Sequence, residues 1–138
     1  MSLSLAVLVA LAIAVVLVLA TRRPGITGLD ARRLVDAGAR LVDVRSPAEY
    51  ARGHLQGAEN LPFADLAARM AELGPVSQPL VVYCASGHRS GRAVRILQRR
   101  GFAAVHDLGP MGRWPDPVRT PAEQEPDLVE PDDPDLRA

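Results

Sequence analysis

The hydrophobic pattern divides the chain into three unlike parts. Residues 3–20 read LSLAVLVALAIAVVLVLA, and Ser4 is the only polar side chain among these 18 positions. As a helix this run spans about 27 Å, against a bilayer core of about 30 Å. A helix that is apolar all round needs either a core on every side or lipid, and a chain of 138 residues is too short to supply such a core. The pattern therefore predicts one transmembrane anchor, residues 1–23, ending in the basic flank Arg22-Arg23. A cleaved signal peptide is the rival reading, with Val18-Leu19-Ala20 as a tolerable cleavage site. Signal peptides carry a positive charge before the apolar run, whereas Met1-Ser2 has no charged side chain and the run is longer than usual. The two arginines favour a cytoplasmic location for the remainder of the chain, with the short N-terminus outside.

Between residues 25 and 110 the pattern alternates between helix and strand periods. Thr27 can cap a helix with Asp30 at the third position, Leu29, Leu34 and Val35 forming its apolar face and Gly38 ending it. Leu41-Val42-Asp43-Val44 suits a buried strand. Ser46-Pro47-Ala48-Glu49 reads as a second helix start, with cap, proline in the first turn and glutamate three residues on. Residues 58–62 make a short strand candidate, and Phe63, Leu66, Ala67, Met70 and Leu73 give residues 63–73 a helical period. Leu80-Val81-Val82-Tyr83 is the best strand signal in the chain. Residues 90–100 predict a helix ended by Gly101, and 102–108 a last strand. This βαβα rhythm predicts an α/β domain over 24–114, with a mainly parallel central sheet and helices on both faces.

Residues 115–138 change character. They hold six of the chain's 12 prolines, eight acids and two arginines. So few large apolar residues predict a disordered acidic tail. The whole chain has 16 basic and 16 acidic residues, and every basic one is Arg. Its zero net charge is an average: residues 21–114 carry 14 Arg and eight acids, while the tail is acidic by six. Zero net charge and an aromatic content of 4% argue against a nucleic-acid binder. One cysteine excludes an internal disulfide framework and a multi-cysteine metal site. His54, His88 and His106 show no metal-ligand spacing, and no nucleotide phosphate motif is present, so neither metal nor cofactor is expected.

That cysteine, Cys84, comes directly after the best strand and opens Cys84-Ala85-Ser86-Gly87-His88-Arg89-Ser90, which runs into a helix. In open parallel sheets ligands bind at the C-terminal ends of strands. A loop curling from strand into helix turns backbone amides inward, and the helix N-terminus adds about half a positive charge. Arg89 adds a permanent charge, and all three favour a thiolate and stabilise anionic groups on its sulfur. Asp43 and Arg45 end a strand near this crevice, as a structural ion pair or as supporting site residues. His54 reads as a packed turn residue, and Arg92, Arg95 and Arg99 as a solvated helix face whose charge can attract anions.

Three segments together resemble the rhodanese (sulfurtransferase) family: the Cys84–Ser90 heptad, Asp43-Val44-Arg45-Ser46-Pro47-Ala48-Glu49-Tyr50, and Gly53-His54-Leu55-Gln56-Gly57-Ala58-Glu59-Asn60-Leu61-Pro62. They stand in the family's order, and the resemblance covers residues 27–114. Gly109-Pro110-Met111 departs from the family, which often has Gly-Gly before its Trp. The resemblance implies a rhodanese-like fold and a sulfurtransferase. Cys84 would take the outer sulfur of thiosulfate or a persulfide as a Cys84 persulfide, cradled by the amides of Ala85, Ser86, Gly87, His88 and Arg89. A thiol or cyanide would then accept it, with Arg89 helping to bind the anionic donor. Two other readings compete. One is a non-catalytic module that binds a partner or senses persulfides. The other is a cysteine phosphatase or arsenate reductase, whose loop places five residues between Cys and Arg, where four lie between Cys84 and Arg89. No protein partner is identifiable. A lone reactive thiol fits the reducing cytoplasm.

Overall fold

The computed structural model describes residues 2–21, 25–118 and 120. Among the described residues nine α-helices and strands succeed one another, with three short 3₁₀ turns between or after them: α1 (Ser2–Thr21), α2 (Gly28–Asp36), β1 (Arg40–Asp43), α3 (Pro47–Ala51), β2 (Glu59–Asn60), α4 (Leu66–Arg69), β3 (Leu80–Cys84), α5 (His88–Arg99) and β4 (Val105–Pro110). The four strands form one sheet in the order β2-β1-β3-β4, and every neighbouring pair is parallel. The expected parallel α/β architecture is thus present, and β1 and β3, which carry the candidate chemistry, lie side by side at its centre.

Local chemistry sets the element ends. The Thr27 hydroxyl accepts from the Asp30 amide at 3.1 Å and starts α2. Ser46 and Glu49 close a reciprocal capping box on α3: the Glu49 amide donates to Ser46 Oγ at 3.2 Å, and the Ser46 amide to Glu49 Oε2 at 2.9 Å. Every residue of β3 is buried, which is why its sequence is a continuous apolar run rather than an alternating one. Side chains of the central strands alternate between two cores. One core joins Val42, Val82 and Cys84 to Leu66 of α4 and to Val94 and Leu97 of α5. The other joins Leu41, Val81 and Tyr83 to Ala31 of α2, Leu55 and Trp114. Helices therefore cover both faces. Gly28 is where α2 meets the turn before Trp114: a Cβ there would lie 1.8 Å from the Arg113 carbonyl oxygen, so only glycine permits this docking.

Two expectations need correction. Residues 63–73 do not make one helix; a 3₁₀ turn at Phe63–Asp65, the single α-turn of α4 and a second 3₁₀ turn at Met70–Leu73 replace it. Leu66 and Leu73 still reach the core, so the apolar spacing served burial without requiring a continuous helix. Leu29 is 63% exposed, and Ala31 takes the buried place on α2 instead.

The first helix forms as the sequence predicts. Its described side chains run from Leu5 to Val18, about 21 Å of helix, and its large apolar residues are at least half exposed. Among the described residues, no helix is long and apolar enough to cross a membrane. Arg22 and Arg23, which carry the orientation argument, lie outside the described residues, as do Arg119 and residues 121–138 of the expected tail. Asp116, at the start of that tail, pairs with Arg32 of α2.

Asp43 and Arg45 form a buried ion pair at the end of β1. Arg45 Nε donates to both Asp43 oxygens at 3.1 and 3.0 Å, its Nη2 to Asp43 Oδ2 at 2.7 Å, and Nη2 also to the Gly53 carbonyl at 2.7 Å. Removing one partner of such a pair leaves an uncompensated buried charge. Asp43→Ala should lower the unfolding free energy by about 3–5 kcal/mol, read by urea denaturation. A loss below about 1 kcal/mol would contradict this role for the pair.

Candidate active site

Cys84 is the last residue of β3, and its side chain faces the α5 side of the sheet. The chain then turns back over it through Ala85, Ser86 and Gly87 before α5 begins at His88. Gly87 makes this possible with φ 90°, a region that glycine enters without steric cost. Its neighbour also leaves little room, because a Cβ at Gly87 would lie 3.1 Å from Pro110 Cδ. The departure from the family pattern at Pro110 thus packs directly against the loop.

The turn points amides at the sulfur. The Gly87 N–H donates to Cys84 Sγ at 3.0 Å and the Ser90 N–H at 3.4 Å. Ser90 is wholly buried, and its hydroxyl lies 3.6 Å from Sγ while donating to the Gly87 carbonyl at 3.1 Å. The thiol can donate to Ser90 Oγ while both amides donate to its sulfur, and a thiolate keeps the two amides. The amides of His88 and Arg89, in the first turn of α5, have no acceptor within the helix and carry its positive end. Cys84 has no exposed surface of its own, whereas Ala85, Ser86 and His88 above it are exposed. The arrangement can hold a negative sulfur by neutral dipoles.

Arg89 is placed differently from the sequence expectation. Its Nη1 donates to Glu49 Oε2 at 2.7 Å and its Nη2 to Glu49 Oε1 at 2.9 Å, a two-pronged pair between α5 and α3. Glu49 is the same carboxylate that closes the α3 capping box. The Arg89 guanidinium, with the Ser46 amide second to it, holds the Glu49 carboxyl well below the usual carboxylate range. Glu49 in turn raises Arg89, with Cys84 a smaller contributor in the same direction.

The structure brings Cys84, Gly87 and Ser90 into contact and sets Arg89 beside them. Asp43 and Arg45 are not brought to the sulfur. They lie against Tyr83, on the opposite face of the sheet, with the Arg45 guanidinium carbon 5.9 Å from the Tyr83 ring centre. Burial, with the nearby Asp43 carboxylate, raises Tyr83 far above its usual range, and its neutral hydroxyl accepts the Leu55 amide at 3.1 Å. His54 packs as a turn residue: its ring stacks on Tyr50 at 3.6 Å, and Nδ1 lies 2.9 Å from the Tyr50 carbonyl. Arg92 lies over the Phe63 ring at 4.9 Å. No cluster suited to a metal ion occurs among the described residues. Sequence reasoning missed Glu49 and Ser90 as site residues. Both carried other signals, since Glu49 read as a helix cap and Ser90 as the start of a helix.

The same region of the chain matches known proteins in sequence and in fold. A family model described as "Rhodanese-like domain" matches residues 29–109. The chain is 38% identical over 77 residues to the uncharacterized protein YqhL of Bacillus subtilis, covering 55% of this chain and 60% of that one. It is 38% identical over 76 residues to the thiosulfate sulfurtransferase PspE of Escherichia coli, covering 54% and 73% respectively. Among solved structures, "rhodanese with anions from E. coli" aligns at TM-score 0.56 and 31% identity, over 59% of this chain and 98% of that chain. The human single-domain sulfurtransferase TSTD1 aligns at TM-score 0.57 and 28% identity, over 67% and 95%.

The Glu49–Arg89 pair makes a pH prediction. Because the folded state holds Glu49 ionised below its ordinary value of 4.5, the pair contributes fully above that pH and progressively less as pH falls beneath it. The stability difference between the wild type and Glu49→Gln, measured by denaturation, should narrow steadily from pH 5 to pH 2. A difference independent of pH would show that the charge contributes nothing.

Proposed function

The chain belongs to the rhodanese-like domain family, and on that premise we propose that it is a sulfurtransferase working through a Cys84 persulfide. One observation carries the reading: the sulfur of the only cysteine accepts two backbone amides from a loop that runs into a helix N-terminus. Such a cradle stabilises negative charge on sulfur without a counter-ion, as an oxyanion hole does for oxygen. The names of PspE and of the human single-domain protein support the same chemistry.

In the first half-reaction Cys84 thiolate attacks the outer sulfur of thiosulfate. The new Cys84 S–S bond forms, the S–S bond of thiosulfate breaks, and its electron pair leaves on sulfite. The loop amides from Ala85 to Arg89 then hold the terminal sulfur. In the second half-reaction cyanide or a thiol attacks that sulfur and Cys84 leaves as thiolate. Since Cys84 is covered, transfer requires the loop of residues 85–87 to shift outward. Its exposure and lack of bulky side chains suit it to that movement. A four-residue gap between Cys84 and Arg89 supports sulfur rather than a tetrahedral oxyanion as the cradled group.

Cys84→Ser should abolish thiocyanate formation from thiosulfate and cyanide, with loss of at least about a thousandfold in rate. Activity surviving that change would refute covalent transfer through Cys84.

We propose further that residues 3–20 anchor the chain in a membrane as a single pass, with the catalytic domain in the cytoplasm. The 18-residue run, with no charge and only Ser4 polar, supports the anchor, and Arg22-Arg23 support the orientation. A thiol reagent that cannot cross membranes should leave Cys84 unmodified in intact cells, and modify it after detergent and denaturant are added. Modification in intact cells would overturn the orientation.

A further inference from the structure

Arg89, in the first turn of α5, is the only guanidinium between Cys84 and Ser90, yet both its terminal nitrogens are committed to Glu49. Glu49 is itself fixed from a second direction, because it accepts the Ser46 amide at 2.9 Å within the α3 capping box. The carboxylate thus sits on a helix start whose position is set by the end of β1. Since β1 and β3 are neighbours in the sheet, the pair spans the two loops that flank the sulfur. A carboxylate held in this way cannot swing aside when an anion arrives without opening its own helix cap. Arg45, the other arginine at these strand ends, is committed to Asp43 on the opposite face of the sheet.

We propose that Glu49 determines donor specificity by neutralising Arg89, and that the site favours persulfides over thiosulfate. The inference rests on the sulfurtransferase reading above and concerns which donor that site takes. What remains uncompensated at the sulfur is the set of loop amides and the N-terminus of α5, worth about half a charge. That matches one negative sulfur. It does not match the departing group of thiosulfate, which leaves as sulfite with two negative charges. A persulfide RSSH reacts with less charge: Cys84 thiolate attacks the outer sulfur, the Cys84 S–S bond forms, the RS–S bond breaks, and RS⁻ leaves with the electron pair. The proton stays on the transferred sulfur, and RS⁻ later takes one from water. No external oxidant or reductant enters either exchange. With Arg89 neutralised by Glu49, no free side-chain cation in the loop offsets the two charges of departing sulfite, and the single charge of a departing thiolate needs about half as much compensation.

The test measures the rate constant for loading sulfur onto Cys84 in the full chain, by acid quench and intact mass. Thiosulfate and cysteine persulfide are the two donors. Wild-type protein should load faster from cysteine persulfide. Glu49→Gln keeps the shape and an acceptor oxygen but removes the charge, and should raise the thiosulfate rate constant roughly fivefold relative to that for the persulfide. Ser46→Ala weakens the helix cap without removing the charge, and should leave the ratio of the two rate constants within about twofold of wild type. The proposal is overturned if Glu49→Gln leaves the ratio within about twofold of wild type, as a parallel loss with both donors would. It is equally overturned if Ser46→Ala shifts the ratio as much as Glu49→Gln, which would make the effect one of helix geometry. Wild-type protein loaded by neither donor would instead overturn the sulfurtransferase reading itself.

Discussion

The hydrogen bonds from the Gly87 and Ser90 amides to the sulfur of Cys84 are the contacts around which the site is organised. For an amide three residues beyond a strand to reach back to that strand's last side chain, the chain must reverse sharply, and Gly87 supplies the left-handed turn. For the Ser90 amide to arrive as well, a helix must start immediately, which brings its positive end over the same atom. Neither requirement involves a charged side chain. The cradle is therefore a backbone object, and its side chains are chosen for what they permit: no Cβ at Gly87, a small buried hydroxyl at Ser90, and Pro110 closing the space behind.

Two ion pairs lie at the ends of the central strands, and they differ in kind. Asp43–Arg45 is buried and fully hydrogen-bonded on the face of the sheet away from the sulfur, where it ties the end of β1 to the Gly53 carbonyl. Glu49–Arg89 is about one-third exposed and joins the β1 loop to the β3 loop on the side of the sulfur. The first is a matter of folding, because its loss strands a buried charge. The second neutralises the loop's guanidinium, so the same contact that steadies the loop sets its electrostatics. That double role ties the placement of the two loops to the charge presented beside the sulfur.

Much of this was legible in the sequence, and the limits have physical reasons. The β3 run announced itself because a strand buried on both faces is continuously apolar, and Ser46 with Glu49 announced α3 because a capping box is local chemistry. The heptad from Cys84 to Ser90 marked the site by resemblance, and a matching family model covers residues 29–109. What could not be read were pairings set by tertiary distance. Arg89 and Glu49 are 40 positions apart, and only the adjacency of β1 and β3 makes them neighbours. Residues 63–73 misled because apolar spacing reports which side chains are buried, and two 3₁₀ turns around a single α-turn satisfied it as well as a helix.

The central claim is that Cys84 carries the sulfur. It is tested most directly by the intact mass of the purified protein after thiosulfate treatment, and again after cyanide. The persulfide mechanism predicts a gain of one sulfur atom, mapped by fragmentation to Cys84, which cyanide removes as thiocyanate. An unchanged mass, or a sulfur that cyanide cannot remove, would contradict it.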